Sequence, residues 1–315
     1  MPEPAAVGLI RPFVVVANRW AGGGKAHGLI GEVERALRAP AIAIVEPDFT
    51  PAFPARLNEA LASASAALME RSNSFDRPLL VCIGGDGTLS LAFDALASPD
   101  NATLAIIPCG SGNDLALMLG IRKGRAAFDV LRDGAERRID YGTVNGRRFI
   151  NCVGMGLDAE VAAMAAQIRK SGLAKGLSYY MAAVRGLLMV KPVAAMVVTH
   201  DVELRFADLV MLTVGNGAWY GGGFHGAPDA SLEDGAFDCY AFRDVVGLPA
   251  RFGLMQRIRT GAHADEPNVT SLRASHLEVA FERPVAMHVD GELALVQSAK
   301  IELVPRGARV IAPVE

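Results

Sequence analysis

The residues best suited to chemistry lie in two glycine-rich turns, each of which follows a short apolar run. The first is Ile83–Leu89, with the sequence IGGDGTL, and the second is Pro108–Asp114, with the sequence PCGSGND. A turn between a buried strand and a helix presents backbone N–H groups at the carboxyl edge of a parallel sheet, where the helix N-terminus favours anions. Consecutive glycines let that backbone approach a phosphate closely. We therefore expect the two turns to line one nucleotide-binding cleft.

Asp86 is an unusual residue for a phosphate site, because its carboxylate repels phosphate oxygens. A bridging Mg²⁺ is one explanation, since carboxylate and phosphate oxygens are both ligands of that ion. The other explanation is structural: Asp86 caps the helix that begins at this turn. In the second turn, Cys109 and Asn113 stand where a GxSxG nucleophile elbow needs glycines, which disfavours a hydrolase serine at Ser111.

Two further glycine motifs do not match established nucleotide loops. The turn Asn18–Lys25 is not a Walker P-loop, because Ala26 follows the lysine and Arg19 stands at the first glycine position. A phosphate contact from Lys25 and a plain surface loop both remain open. The segment Gly154–Ala159 fits GxGxxA but has no acidic residue near the expected downstream offset, so dinucleotide binding there is disfavoured.

The elements that must position these turns fall into two parts of different character. Through residue 138, short apolar runs alternate with segments of helical spacing, which predicts a parallel sheet covered on both faces. From residue 139, strand-like runs separated by turns predict an antiparallel second domain with one or two helices. The predicted strands are 13–17, 41–45, 79–83 and 104–107, followed by 148–153, 194–198, 209–214, 237–242, 276–281, 285–289 and 300–304.

One predicted helix of the second part carries an apolar stripe. The stripe predicts a helix packed on its own domain, and contact with lipid is the alternative. Its residues are Leu177, Tyr180, Met181, Val184, Leu187 and Leu188.

Composition excludes several classes of protein. The chain has 315 residues, of which 51% are hydrophobic and 21% charged, which fits two packed domains. The net charge of −3 argues against nucleic-acid binding. The four cysteines form no CxxC pair, so neither a disulfide framework nor a zinc site is predicted. No apolar run approaches the roughly 20 residues of a membrane span, and the N-terminus lacks a signal-peptide pattern. We therefore expect a cytoplasmic protein.

The order of the motifs resembles the catalytic domain of the diacylglycerol kinase family, which includes sphingosine and ceramide kinases and bacterial soluble lipid kinases. GGDGT alone is shared with NAD kinases and phosphofructokinases, whereas the ordered set of motifs is far more specific. The resemblance rests on residues 84–88 and 108–114 and continues through residues 151–158, 215–216, 221–223, 228–230, 234–235 and 290–292.

The resemblance implies an α/β plus β fold, with an N-terminal α/β nucleotide-binding domain of the NAD kinase and diacylglycerol kinase type and a C-terminal antiparallel β-sandwich domain. The active site is expected between them. We expect the first domain to span residues 1–138, completed by residues 302–315, and the lipid-substrate domain to span residues 139–301. The residues implied to contact ATP are Asn18, Gly22, Gly84, Gly85, Asp86, Gly87, Thr88, Leu89, Ser90 and Ser111.

The resemblance also implies catalytic and metal-binding roles. It places the general base in the segment Asp290-Gly291-Glu292, with Glu292 as the first candidate and Asp290 as the alternative, and Asp86 next to the Mg²⁺ of ATP. Asp-Gly between apolar runs is also a strong hairpin-turn signal, and both interpretations can hold together. A structural Mg²⁺ in the second domain would be held by the Asp234 carboxylate and by the backbone carbonyls of Ser231 and Ala236.

This sequence departs from the family pattern at a few positions. Arg19 replaces the proline of the first loop, and Ser111 replaces the usual threonine of the second turn but keeps the hydroxyl. The threonine that follows the family's second strand corresponds to Glu46 or Thr50, and the sequence does not choose between them.

These observations predict an ATP- and Mg²⁺-dependent lipid kinase that phosphorylates a lipid hydroxyl, with diacylglycerol the favoured acceptor and ceramide or a sphingoid lipid next. An NAD kinase-like phosphotransferase and a non-catalytic nucleotide- or lipid-binding protein are the alternatives. The expected partner is a lipid at a membrane surface, contacted transiently and peripherally through apolar residues around 173–190. No nucleic-acid partner is expected, and a homodimer is left open.

Overall fold

The computed structural model describes residues 11–48, 50–70, 76–169, 175–189, 191–221, 223–245 and 247–314. Within these residues the chain divides into two compact units. The N-terminal unit comprises Met1–Ile139 and Gly307–Glu315, and the C-terminal unit comprises Asp140–Arg306. Gly222 of the motif at 221–223 and residues 173, 174 and 190 of the expected lipid-contact segment lie outside the described residues.

The N-terminal unit is a parallel α/β sheet. Its elements are β1 (Phe13–Ala17), α1 (Ile30–Leu37), β2 (Ala43–Val45), α2 (Ala52–Glu70), β3 (Leu79–Gly84), α3 (Asp86–Asp94), β4 (Thr103–Pro108), α4 (Asp114–Met118) and α5 (Arg125–Asp133). The strands lie in the order β2-β1-β3-β4, all parallel. Residues 307–312 return to this unit, and Val310 pairs with Leu104 of β4 in parallel.

The apolar runs form these strands because helices cover both faces of the sheet. Every residue of β1, β3 and β4 is buried, as expected for parallel strands inside an α/β layer. Helix α2 buries Phe53, Leu57 and Leu61 at helical spacing against the sheet, leaving its other face exposed. The predicted parallel sheet is confirmed.

The C-terminal unit is rich in antiparallel strands. Its elements are β5 (Ala135–Val144), β6 (Arg147–Phe149), β7 (Cys152–Gly156), α6 (Leu157–Arg169), α7 (Lys175–Met189), β8 (Val193–Val198), β9 (Glu203–Gly215), β10 (Phe237–Arg243), α8 (Leu248–Thr260), β11 (Val269–Ala274), β12 (His276–Val289) and β13 (Glu292–Ala312). The order is β11-β10-β9-β7-β12-β13, with β8 beside β9 and β12. Strands β5 and β13 have residues in both units. Buried apolar side chains of these strands form the core of the unit, in which Phe149 and Phe237 stack with ring centroids 5.5 Å apart.

Several predicted boundaries in this unit are wrong. Residues 276–281 and 285–289 belong to one strand, β12, whose register shifts between Ala280 and Val285. Residues 148–153 are not one strand, because the chain leaves the ladder at Ile150 and Asn151 between β6 and β7. Three helices are present in the described part of this unit, where the spacing predicted one or two.

Helix α7 buries a different set of residues from the apolar stripe that the sequence predicts to pack on its own domain. The large residues of its apolar stripe, Tyr180, Met181 and Leu188, are exposed, and the small residues Ala182 and Ala183 are buried. Small residues face inward because α6 approaches closely: a Cβ built on Gly186 of α7 would lie 2.8 Å from a methyl group of Val161. The side chains of Leu177 and Leu187 lie outside the described ones.

None of the helices in the described ranges is long and apolar enough to cross a membrane.

Candidate functional site

The two glycine-rich turns of the N-terminal unit meet at the carboxyl edge of the sheet. They follow β3 and β4, which are adjacent and in register, with Gly84 beside Pro108. The turns touch through bare backbone, since a Cβ built on Gly110 would lie 2.5 Å from the Cα of Gly85. The N–H of Cys109 donates to the carbonyl of Gly84 over 2.9 Å. Any side chain at either glycine would push the turns apart.

Asp86 joins the two turns through its carboxylate. Its Oδ2 accepts the N–H of Asn113 at 2.7 Å, and its Oδ1 accepts the N–H of Asp114 at 2.6 Å. Asp86 therefore caps α4, the helix after the second turn, whereas the N-cap position of its own helix is Gly85. An ionised carboxylate has about four acceptor sites, so these two bonds leave room for a cation.

Asn113 is a site residue for which the sequence analysis assigned no role. It is buried and adopts the left-handed conformation with φ of 65°, which asparagine tolerates better than most residues. Its side chain accepts the N–H of Gly110 and donates to the carbonyls of Gly110 and Gly112, each over 2.9 Å. Lys123 adds a bond from Nζ to the carbonyl of Gly110 over 2.7 Å, and no motif signals that lysine.

The remaining predicted nucleotide residues divide into exposed and buried groups. Gly87 and Ser111 are exposed at the two turns, while Thr88 and Ser90 are buried. Gly85, Asp86 and Leu89 line a small cavity together with Gly84. Thr88 and Ser90 are therefore closed to a ligand, whereas Gly87 and Ser111 are open to one.

The third glycine turn also reaches this edge. Gly22 has φ of 62°, and a Cβ built on it would lie 2.8 Å from the carbonyl oxygen of Cys109 in the second turn. Asn18 shapes the loop locally, since its side-chain oxygen accepts the N–H of Trp20 at 3.0 Å. Arg19 forms a two-bond ion pair with Glu46. The charge of Arg19, which replaces the family's proline, is thus neutralised by Glu46.

The acidic segment of the C-terminal unit is a hairpin turn. Asp290 and Gly291 connect β12 to β13 with φ of 48° and 90°, and Val289 pairs with Glu292. Two successive positive φ angles identify the turn type favoured by Asp-Gly in hairpins. The hairpin prediction is confirmed.

Asp290 and Glu292 occupy different environments. The Asp290 carboxylate accepts the N–H groups of Ile150, Asn151 and Cys152 at 2.9, 3.0 and 2.9 Å. Burial raises the pKa of Asp290, although these three N–H groups and His288 act in the opposite direction. Glu292 is 28% exposed, and its Oε2 accepts a bond from Nη2 of Arg147 over 2.6 Å. The Asp290 carboxylate is therefore bonded to the backbone, whereas the Glu292 carboxylate is bonded to a side chain and is partly exposed.

A buried histidine–carboxylate pair lies next to this hairpin. Nε2 of His288 is 3.0 Å from Oδ2 of Asp158, and both side chains are buried. Gly154 makes room for the pair, since a Cβ there would lie 2.3 Å from the Asp158 oxygen. Burial lowers the pKa of His288, but the carboxylates of Asp158 and Asp290 outweigh it and raise the pKa above its usual value. Gly154 of the GxGxxA segment thus has a packing role in this pair.

A largely apolar cavity lies in the C-terminal unit beneath α6, α7 and α8, on β9 and β10. Its polar lining includes Asp158 and the ion pair between Asp244 and Arg251, whose Oδ2 and Nη2 are 2.8 Å apart. Apolar side chains from all five elements make up most of the wall; they include Leu157, Val161, Ala183, Val210, Met211, Phe242, Leu254, Met255 and Ile258.

The predicted structural metal site does not fit a divalent cation in its described arrangement. The Asp234 carboxylate is paired with the guanidinium of Arg273, and its Oδ1 accepts the N–H of Ala236 at 3.3 Å. The hydroxyl of Ser231 accepts the N–H of Glu233 at 3.4 Å. Among the described residues, no group of three or more His, Cys, Asp or Glu side chains is placed to hold a metal.

Comparisons with known proteins agree with this architecture. The family model of the diacylglycerol kinase catalytic domain matches residues 12–144. The model of the YegS C-terminal NAD kinase beta sandwich-like domain matches residues 151–312.

Individual relatives cover most of the chain. A diacylglycerol kinase of Bacillus subtilis is 30% identical over 257 residues, which is 81% of this chain and 82% of the relative. A diacylglycerol kinase of Mycobacterium tuberculosis is 32% identical over 73% of this chain and 75% of its own length. The solved structure of a diacylglycerol kinase from Bacillus anthracis str. Sterne has a TM-score of 0.72 at 21% identity, covering 96% of this chain and 97% of that one, and shows the same fold. The chain therefore belongs to the diacylglycerol kinase and YegS-like lipid kinase family, whose members are phosphotransferases.

Proposed function

We propose that the protein transfers the γ-phosphoryl group of Mg-ATP to the hydroxyl group of a long-chain lipid, with diacylglycerol the favoured acceptor and ceramide or a sphingoid lipid next. The apolar cavity of the C-terminal unit is the observation that carries this proposal. Each buried methylene contributes roughly 0.8 kcal/mol of transfer free energy, so the cavity favours a hydrocarbon chain. It offers little to a polar acceptor such as NAD, which weakens the NAD kinase alternative.

Contacts within the C-terminal unit connect the cavity to the acidic hairpin. Asp158 lines the cavity and is bonded to His288, which lies on β12 two residues before Asp290. A lipid whose chain occupies the cavity would therefore carry its polar end toward the part of the unit that holds Glu292. The Asp158–His288 pair is a polar group with which the glycerol or sphingoid backbone of such a lipid would form a hydrogen bond.

The glycine turns of the N-terminal unit support nucleotide binding. Three turns meet at one sheet edge, and their bare backbone presents N–H groups to an anion, which suits the phosphates of ATP. Mg²⁺ bound with ATP would neutralise phosphate charge, and Asp86 is the side chain best placed to face it. Phosphoryl transfer depends chiefly on such positioning and charge stabilisation.

Glu292 is the proposed general base. Its carboxylate accepts the proton of the lipid hydroxyl while the hydroxyl oxygen bonds to the γ-phosphorus and ADP leaves. Arg147 holds the Glu292 carboxylate in one orientation through the 2.6 Å bond. Asp290 does not take part in proton transfer, because its two oxygens bind the backbone of residues 150–152; it positions the hairpin.

Peripheral contact with a membrane is the proposed route by which the acceptor enters. Tyr180, Met181, Leu188 and Met189 are exposed on α7, between 44% and 58% of each residue. Ala183 of the same helix lines the cavity. One helix therefore has an exposed apolar face and a cavity-lining face, an arrangement that suits docking on a bilayer surface and uptake of a lipid from it.

Replacing Glu292 tests the catalytic proposal. With Mg-ATP and diacylglycerol in mixed micelles, Glu292→Gln is expected to lower turnover by roughly 10²–10⁴-fold, the usual contribution of a general base, with unchanged nucleotide affinity. Glu282→Gln, an exposed glutamate on β12, is the matched control. Parental turnover in Glu292→Gln would rule out the assigned base, and transfer to NAD but to no lipid would rule out the acceptor class.

Replacing Asp86 tests the nucleotide site. Asp86→Ala removes both acceptors that join the turns, so affinity for Mg-ATP measured by calorimetry and lipid phosphorylation should both fall, while the circular dichroism spectrum is retained. Asp86→Asn keeps one acceptor oxygen and should be intermediate. Asp94→Asn, at the far end of α3, controls for loss of charge. An Asp86→Ala variant with parental affinity and turnover would exclude the proposed role.

Filling the cavity tests lipid binding. Ala183→Phe adds a ring inside the cavity, so the KM for a long-chain diacylglycerol should rise about 10-fold or more, in keeping with the several buried methylenes it displaces. The KM for ATP should not change. Met181→Phe places the same ring on the exposed side of α7 and should leave both values near the parent. Equal lipid KM values for the two variants would contradict a chain-binding cavity.

Making α7 polar tests the docking surface. The double variant Met181→Ser/Leu188→Ser should bind less to vesicles of phosphatidylglycerol and phosphatidylcholine in a flotation assay. Its turnover on a short-chain, monomeric diacylglycerol should match the parent, because the cavity is unaltered. Vesicle binding equal to that of the parent would remove α7 as the docking element.

A further inference from the structure

Three aspartates surround the turn at 231–236 in the C-terminal unit. Asp234 lies in the turn, Asp238 lies on β10 just after it, and Asp229 lies before it and accepts the hydroxyl of Tyr240 at 2.8 Å. Asp238 is buried, and its Oδ2 has no hydrogen-bond partner among the described residues. Burial raises the pKa of Asp238, and the charges of Asp234 and Asp229 add to the effect while Arg273 opposes it. This part of the fold therefore needs a positive charge.

Arg273 supplies a positive charge from the neighbouring strand. It lies on β11 directly opposite Asp238 of β10 in the antiparallel register, so the ladder itself places the two side chains together. Its Nε is 3.4 Å from Oδ1 of Asp238, and its Nη2 pairs with Oδ2 of Asp234. The Arg273 guanidinium thus contacts both the Asp238 and the Asp234 carboxylates. Its several planar N–H donors allow it to bind two carboxylates at once.

The backbone of the turn is also held by the protein itself. The N–H of Gly235 donates to Oδ2 of Asp140 over 2.8 Å, and the N–H of Asp140 donates to the carbonyl of Leu232 over 2.6 Å. Gly235 has φ of 75°, so the turn reverses without strain. These bonds and the ion pair order the turn with contacts from this chain alone.

We propose that the Arg273 guanidinium takes the place of the divalent cation that the family resemblance implies at Asp234, so that the C-terminal unit folds and stays stable without a metal ion there. Mg²⁺ needs a near-octahedral set of oxygens and gives up its water reluctantly. A guanidinium already bonded to the same carboxylate occupies that ligand and repels a second cation. The position of a cation beside the Asp234 carboxylate is therefore already occupied by the side chain of Arg273.

The test compares thermal unfolding of the full chain without nucleotide in EDTA and in millimolar Mg²⁺ or Ca²⁺. The parent is expected to unfold at the same temperature in all three, and elemental analysis after gel filtration should find less than one equivalent of either metal. Arg273→Gln should unfold at a lower temperature in EDTA and recover part of the loss in Mg²⁺ or Ca²⁺. Asp234→Asn added to Arg273→Gln should abolish that recovery.

Arg205→Gln is the matched control. Arg205 is an exposed arginine on β9 of the same unit and pairs with Glu203, so its loss removes the same charge without touching the turn. Its unfolding should be insensitive to metal. Arg273→Lys, which keeps a cation, should behave like the parent and serves if Arg273→Gln does not fold.

Two results would overturn the proposal. One is a parent chain that retains a stoichiometric metal ion and loses stability in EDTA, with the loss prevented by Asp234→Asn. The other is an Arg273→Gln chain that folds but gains no metal response. Neither readout uses kinase activity, so failure here leaves the proposed function untouched, and failure of the proposed function leaves this inference standing.

Discussion

A buried backbone N–H group needs an acceptor, and in this protein three aspartates supply acceptors at points where distant segments join. Asp86 accepts two N–H groups of the second glycine turn. Asp140 accepts those of Gly235 and Arg306, and Asp290 accepts three at the start of β7. Each carboxylate holds a segment far from it in sequence. The turns, the hairpin and the loop before β10 keep their shapes because of these bonds.

This use of aspartates separates carboxylates that hold the backbone from Glu292, the proposed general base. A carboxylate that accepts three backbone N–H groups inside the protein has little capacity left for a substrate, whereas Glu292 is bonded at its tip by Arg147 and stays partly open to solvent. The two acidic residues on either side of Gly291 thus differ in their bonding partners: backbone N–H groups for Asp290 and a guanidinium for Glu292. The same comparison applies to Asp234. Its carboxylate is already paired with the guanidinium of Arg273, unlike a carboxylate that is free to bind a metal ion.

Close packing of α6 on α7 has a comparable effect on the lipid side of the proposed function. A larger side chain at Gly186 would meet α6, and the small residues Ala182 and Ala183 are buried on the same helix. The bulky residues Tyr180, Met181, Leu188 and Met189 are exposed on α7, and the small residue Ala183 lines the cavity beneath it. An apolar stripe usually packs against the interior, but in α7 the large residues of the stripe are exposed. This exposure suits a protein whose proposed acceptor resides in a bilayer.

Local patterns were sufficient for several features. Uninterrupted apolar runs specified the buried parallel strands β1, β3 and β4, since such runs are typical of strands with both faces covered, and Asp-Gly specified the hairpin at 290–291, since that pair accepts positive φ. The glycine turns and their order indicated the family. Tertiary structure alone decided what depends on partners far along the chain: that Asp86 bonds to residues 113 and 114, that Asp290 accepts three backbone N–H groups while Glu292 pairs with Arg147, and that Arg273 stands opposite Asp238. Burial, register and the facing side of α7 arise only when separated segments pack together, and a one-dimensional pattern does not contain those distances.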